Sequence, residues 1–278
     1  MRVRQSLGQY FTPRPVIDFA LDALAAFGAR IEGARVLDPA CGPGEWLAAA
    51  RARGAGELVG VDCDPALAAA WRESGLAAEP RCRLEVRDGL ASGAVDDAGH
   101  DLVVGNPPFG AQLPDASPAA LRDLARSYRL PVRGPAPLAH EPTAADLRRI
   151  ARFPVELLFL ERFVTACRPG GSIAIILPEG VLANSRWRHV RAWLLAEVTV
   201  HTVVGLPRAV FRRHATTART CLVLALRTAP PPGHRVLLAA IEDCAPPALA
   251  ELLAALACGE AVADDPPDGL LPPPLLRG

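Results

Sequence analysis

The sequence predicts an α/β fold: a mainly parallel, doubly wound sheet with an antiparallel closing strand. Three observations predict it. Short apolar runs alternate with amphipathic helical stretches from residue 16 to residue 105, the pattern of successive βαβ units. Four of those runs end at a polar residue, Asp38, Asp62, Asp88 and Asn106, as strand tips do. Two later runs, 198–206 and 219–226, face each other across one loop and read as an antiparallel closing pair. With 278 residues and 50% hydrophobic side chains, the chain is large enough to bury a sizeable core.

The first element follows Gly8-Gln9-Tyr10-Phe11-Thr12-Pro13, where two aromatics precede a threonine placed to cap a helix over 16–27. Ile17, Ala20, Leu21 and Leu24 share one face of that helix. Next comes a short strand, Val36-Leu37, that ends in Asp38-Pro39-Ala40-Cys41-Gly42-Pro43-Gly44, with a helix starting near Glu45. Glycines let backbone approach a ligand closely, and open α/β sheets bind ligands outside the carboxyl ends of their strands. The loop is neither G-x-G-x-x-G nor a P-loop. Its acid would repel a phosphate and suits a ligand of ammonium or sulfonium character.

A second strand, 58–61, ends at Asp62-Cys63-Asp64-Pro65, and an acid there is placed to accept from ribose hydroxyls. The third, 82–86, ends at Asp88-Gly89, and the fourth, 102–104, runs out into Asn106-Pro107-Pro108-Phe109. Both prolines lack an N–H and fix φ near −65°, and each holds the residue before it extended. The result is a stiff arch. The Asn106 amide oxygen and the Pro107 carbonyl can accept from a planar NH₂, with the aromatic face of Phe109 beside them.

Residues 110–150, rich in Pro, Ala and Arg, read as a loop insertion with one short helix over 118–128, placed to close over the site or touch a large substrate. Order returns with a helix over 155–167, a fifth strand over 172–177, a helix over 185–196 carrying Arg186, and then the closing pair. The loop between the closing strands holds Arg208, Arg212 and Arg213. With Arg186 they are the candidate phosphate contacts. Pro230-Pro231-Pro232-Gly233 reads as a linker to one more strand, one more helix and a proline-rich end. The expected organisation is a catalytic domain over 1–230, with the insertion at about 110–150, and a small extension over 231–278.

Lys+Arg and Asp+Glu are both 30, a net charge of 0, which argues against non-specific coating of nucleic acid. Every cation is arginine, a bias that a GC-rich coding sequence produces by itself. The seven cysteines form no CxxC pair and no zinc spacing with His, so no metal site is expected and the thiols read as free in a reducing compartment. The first residues lack an apolar signal region, and no apolar run is long enough to span a membrane. A cytoplasmic protein is expected.

Taken together, Gln9 to Pro13, Asp38 to Gly44 and Asn106 to Phe109, in that order, resemble the γ-class amino-group DNA methyltransferases. Leu206-Pro207 with Phe211, followed by threonines before an apolar strand, is similar to the modification subunits of type I restriction systems. The resemblance implies a Rossmann-like S-adenosylmethionine-dependent methyltransferase fold and methyl transfer to the N6 amine of an adenine flipped out of DNA. It implies that Tyr10, Thr12, Pro13, Asp38, Ala40, Cys41, Gly42, Gly44, Asp62, Cys63, Asp88, Gly89 and Asn106 surround S-adenosylmethionine. Within that set Asp62 would hold the ribose and Asp88 the adenine amine. Asn106, Pro107, Pro108 and Phe109 would grip and stack the target base.

The implied partners are DNA and a separate specificity or target-recognition subunit, since no target-recognition domain is evident after residue 226. Cytosine N4 offers the same amine to the same grip, though a first-position Asn tilts toward adenine. RNA and protein-glutamine methyltransferases carry a similar Asn-Pro-Pro motif, and a non-catalytic subunit that binds cofactor or DNA is the alternative of a different class.

Overall fold

The computed structural model describes residues 12–110, 113, 116–134, 136–207 and 219–258. Its strands are β1 (Arg35–Asp38), β2 (Glu57–Asp62), β3 (Cys82–Val86), β4 (His100–Gly105), β5 (Cys167–Pro178), β6 (Thr199–Leu206), β7 (Thr220–Leu226) and β8 (Leu237–Ala240). Its helices are α1 (Arg14–Ala26), α2 (Glu45–Ala52), α3 (Leu67–Glu73), α4 (Pro118–Ser127), α5 (Ala144–Ala151), α6 (Val155–Ala166), α7 (Glu179–Ala183), α8 (Arg188–Glu197) and α9 (Pro246–Cys258).

The strands form one sheet in the order β3-β2-β1-β4-β5-β7-β6-β8. β7 runs antiparallel between β5 and β6, and the other pairings are parallel. The expected doubly wound α/β sheet with an antiparallel closing strand is the one observed. Apolar residues on both faces of each central strand explain why helices cover both sides. On β4, Leu102 and Val104 join a core with α1, α2, α3 and α9, while Val103 joins the opposite core with α4, α5, α6 and α8. The extension set off at residue 231 contributes to this same body: β8 pairs with β6, and Leu249, Leu252 and Leu256 of α9 pack in the core of α1.

Strand order reverses between β1 and β4. The chain winds outward from β1 to β2 and β3, then returns to lay β4 on the other side of β1. The connections after these two strands leave on opposite faces of the sheet, so a crevice opens above their carboxyl ends. Asp38 ends β1, and Asn106 follows the last residue of β4.

Three local expectations are corrected. Thr12 does not cap the first helix: Pro13 is the N-cap, and its carbonyl accepts from Val16 N–H at 3.0 Å. The insertion holds two helices rather than one, because Thr143 and Asp146 form a reciprocal capping box that starts α5. It also packs on the sheet, with Leu124, Ala125, Tyr128, Leu130 and Ile150 buried in the core of α6. Finally, β5 begins five residues early, at Cys167, because Gly170 and Gly171 exchange backbone hydrogen bonds with Arg227 and carry the strand back past the expected turn.

Candidate active site

Four strand tips meet above the switch point through backbone and carboxyl contacts. Cys41 N–H donates to Val61 O at 2.9 Å, and Gly42 N–H donates to Asp62 Oδ2 at 2.8 Å. The loop after β1 is therefore tied to the tip of β2. Trp71 of α3 donates its indole N–H to Gly42 O at 2.7 Å from below. Gly44 sits at φ +92° as the N-cap of α2, which turns the loop into the helix. The other oxygen of Asp62 accepts from Asp64 N–H at 3.0 Å, so this carboxyl shapes both loops around it.

The β3 tip closes on the same loop. A Cβ added at Gly89 would lie 2.0 Å from Pro39 O, so only glycine allows the two backbones to pass. Gly89→Ala is therefore expected to push the two tips apart and to cost about 1–3 kcal/mol of stability. An unchanged denaturation midpoint for this variant would show that the tips do not touch. Asp88 is exposed, and its Oδ1 accepts from Leu90 N–H at 2.9 Å. Cys63 is exposed beside it.

β4 brings the arch to the same place. Gly105 sits at φ +153°, and a Cβ there would lie 2.6 Å from Asp38 Oδ1 and 3.1 Å from the Phe163 ring. The Asp38 carboxyl thus rests directly against the residue before Asn106. Asn106 and Pro108 are half-buried, Pro107 is buried, and Phe109 is 3% exposed.

The electrostatics concentrate on Asp38, which is 1% exposed. Its Oδ1 accepts from Ala40 N–H at 3.1 Å, while Oδ2 has no hydrogen-bond partner among the described residues. Burial pushes this carboxyl well above the ordinary carboxylate range. The Ala40 amide opposes that shift and the nearby Asp62 charge adds to it. Burial also raises Asp62, against the opposing Asp64 and Gly42 amides. Thr12, buried at the start of α1 next to the half-buried Pro13, likewise leaves Oγ1 without a partner among the described residues. A buried carboxyl with an unused oxygen is poorly suited to an anion and well suited to a cation that would hold it ionised. Burial raises the Cys41 thiol too, so it fills space rather than acting as a nucleophile.

These contacts bring the tips of β1, β2, β3 and β4 together, with Asp38, Cys41, Gly42, Asp62, Gly89 and Gly105 at the points where they meet and Ala40, Gly44, Cys63, Asp88 and the Asn106 arch on the adjoining loops. Arg186 lies after the β5 tip, exposed, with its guanidinium 4.7 Å from the Trp187 ring. Tyr10, Arg208, Arg212 and Arg213 lie outside the described residues. Sequence reasoning missed Gly105, whose signal was a glycine at the last position of the apolar run Leu102-Val103-Val104. It also missed Glu161 and Arg162, buried polar residues on the helix expected over 155–167.

A family model described as N-6 DNA Methylase matches residues 77–240, more than half of the chain, including the Asn106–Phe109 arch. The fold is similar to a structure assigned to the class I S-adenosylmethionine-dependent methyltransferases from Listeria monocytogenes (TM-score 0.65, 21% identity, 89% of this chain and 71% of that one). It is similar to the methyltransferase subunit of a type I restriction-modification system from Streptococcus thermophilus (0.65, 20%, 91% and 54%). It is also similar to the EcoKI M protein of a type I restriction enzyme (0.57, 19%, 83% and 48%). At these identities the likeness is one of fold, and the chain spans about half the length of the two restriction-system subunits.

Proposed function

The chain belongs to the N-6 DNA methylase family, and from that membership we propose that it transfers a methyl group from S-adenosylmethionine to the exocyclic N6 amine of an adenine flipped out of DNA. The observation that supports the reading is the close approach of the buried Asp38 carboxyl to Gly105, which would set a cation site beside an amine grip formed by Asn106 and Pro107.

S-adenosylmethionine would supply an electrophilic methyl on a sulfonium. Asp38 would face the cationic methionine part, with Ala40, Cys41, Gly42 and Gly44 as the floor and Thr12 and Pro13 as one wall. Asp62 would turn its remaining lone pairs to the ribose, beside Cys63, and Asp88 would accept from the purine amine over Gly89. Tyr10 is assigned to the same wall.

On the other side, Asn106 Oδ1 and Pro107 O would each accept from one N–H of the target. The lone pair of an exocyclic amine is delocalised into its ring, which makes the group a poor nucleophile. Two acceptors draw it toward tetrahedral geometry and aim the freed lone pair at the methyl, so positioning does the work of a base. Pro108 keeps the arch rigid. Phe109 is assigned as the stacking platform, its cover displaced by the incoming base. Such stacking is worth about 1–3 kcal/mol against the cost of extrusion. Arg186, Arg208, Arg212 and Arg213 are assigned to phosphates, and site choice to a separate specificity subunit.

Incubating the protein with duplex DNA and S-adenosylmethionine, then digesting the DNA to nucleosides, tests this. N6-methyladenine is expected. N4-methylcytosine instead would overturn the base assignment, and no methylated nucleoside, with or without a specificity subunit, would overturn the reaction.

A further inference from the structure

The β3 tip is the part of the candidate site that the sheet holds least. β3 is an edge strand with β2 as its single neighbour, and none of its residues is fully buried. Arg87 N–H pairs with Asp62 O at 2.8 Å, and the Arg87 guanidinium donates to Ser92 O and Gly93 O at 2.9 and 3.0 Å; the loop that follows is held in addition from residues 110–150. Tyr128, at the end of α4, is 1% exposed and donates its hydroxyl to Leu90 O at 2.9 Å. Asp123, on α4, accepts from Ser92 N–H at 3.0 Å.

Behind this contact sits an uncommon pair of polar groups for a helix facing a core. Arg162 of α6 is 5% exposed and donates Nε–H to the Tyr128 oxygen at 2.9 Å. Its other end donates to Asp97 at 3.0 Å, and its guanidinium carbon lies 5.1 Å from the centre of the Tyr128 ring. Next to it, Glu161 is 1% exposed and accepts from Arg129 N–H at 2.7 Å and Leu130 N–H at 2.9 Å. Buried ionic groups are costly unless fully satisfied, and apolar residues would fill the same space at lower cost. The contacts of Arg162 Nε and of Glu161 serve one end: they fix Tyr128 and the chain just beyond it. Tyr128 in turn fixes Leu90. Leu90 N–H fixes the Asp88 carboxyl through Oδ1. The insertion also begins at Gly110, directly after Phe109.

We infer that Tyr128 and Asp123 are positioning residues for the Asp88–Leu90 loop, so that the segment leaving the amine grip also sets the affinity for the purine of the methyl donor. This rests on the function proposed above. Neither side chain touches the donor; each acts by holding a loop that the edge strand cannot hold alone.

The test uses the full chain with Tyr128→Phe, Asp123→Ala and Asp123→Asn. Amide hydrogen exchange is read at Leu90 and Ser92, and affinity for S-adenosylhomocysteine by calorimetry. Tyr128→Phe and Asp123→Ala are expected to speed exchange at the loop and leave β4 unchanged. Both are expected to weaken S-adenosylhomocysteine about three- to tenfold, the size of one lost hydrogen bond, raising KM for the donor with little change in kcat. Asp123→Asn keeps an acceptor and should restore both readings. Unaltered loop exchange, or altered exchange with unaltered affinity, overturns the inference. Failure of the wild-type protein to bind S-adenosylhomocysteine overturns the proposed function instead, and the exchange arm still decides whether Tyr128 and Asp123 hold the loop.

Discussion

Asn106→Ala is expected to lower methyl transfer about 10²–10³-fold, the usual loss when one preorganised polar contact to a transition state is removed, while S-adenosylhomocysteine affinity changes little. The reason lies in the two acceptors of the arch. Pro107 contributes a backbone carbonyl that no substitution deletes, so Asn106 Oδ1 is the acceptor that mutation can remove. With one acceptor left, the amine stays conjugated with its ring and the lone pair is not aimed. Asn106→Asp gives a second check. It restores an acceptor but places a new carboxylate next to Gly105, against which the buried Asp38 already rests. Transfer should partly return, and the folded state should lose stability above about pH 4, where an unfolded Asp ionises. Both variants are read by methyl incorporation into DNA under saturating donor, with donor affinity measured separately. Wild-type transfer by Asn106→Ala would remove the arch from the chemistry.

Much of this geometry was legible in the sequence because strand tips are punctuated. Asp38, Asp62, Asp88 and Asn106 each end an apolar run, and the alternation of such runs with helical stretches demands a parallel sheet. A parallel sheet in turn puts all four residues at one end of the molecule. The arch was legible because two consecutive prolines leave the backbone few alternatives. The sequence hid what depends on partners far along the chain. Nothing local reveals that Asp62 Oδ2 accepts from the Gly42 amide, twenty residues back along the chain. Nothing local reveals that Glu161 and Arg162 face inward, since an acid and a base on a helix usually face water. α5 was missed because its capping box uses Asp rather than Glu or Gln and sits in a proline-rich stretch.

Asp38→Asn is expected to make the unliganded protein more stable at neutral pH while weakening the methyl donor about 10–100-fold, the range for losing a charge-assisted contact. The sign follows from burial. The folded carboxyl titrates well above its unfolded counterpart because it is buried. Between those two values the folded state binds more protons than the unfolded state, so this group's contribution to stability falls as pH rises. The contribution is fully present below about pH 4, the unfolded value, and lost as pH climbs through the folded one. Asparagine keeps the acceptor for Ala40 N–H and carries no charge to desolvate. The melting temperature of Asp38→Asn should therefore match wild type near pH 4 and exceed it progressively toward pH 8, where a difference of about 1–2 kcal/mol corresponds to a few degrees. The same substitution removes the negative charge that would meet the donor's cationic end, so saturating S-adenosylhomocysteine should stabilise wild type much more than the variant. A less stable Asp38→Asn at pH 8 would mean that the carboxyl is already paired within the fold. A more stable variant with unweakened donor binding would place the cation site elsewhere. Only the combined result, a stabler apo protein that binds its donor poorly, fits a carboxyl kept buried for a cationic ligand.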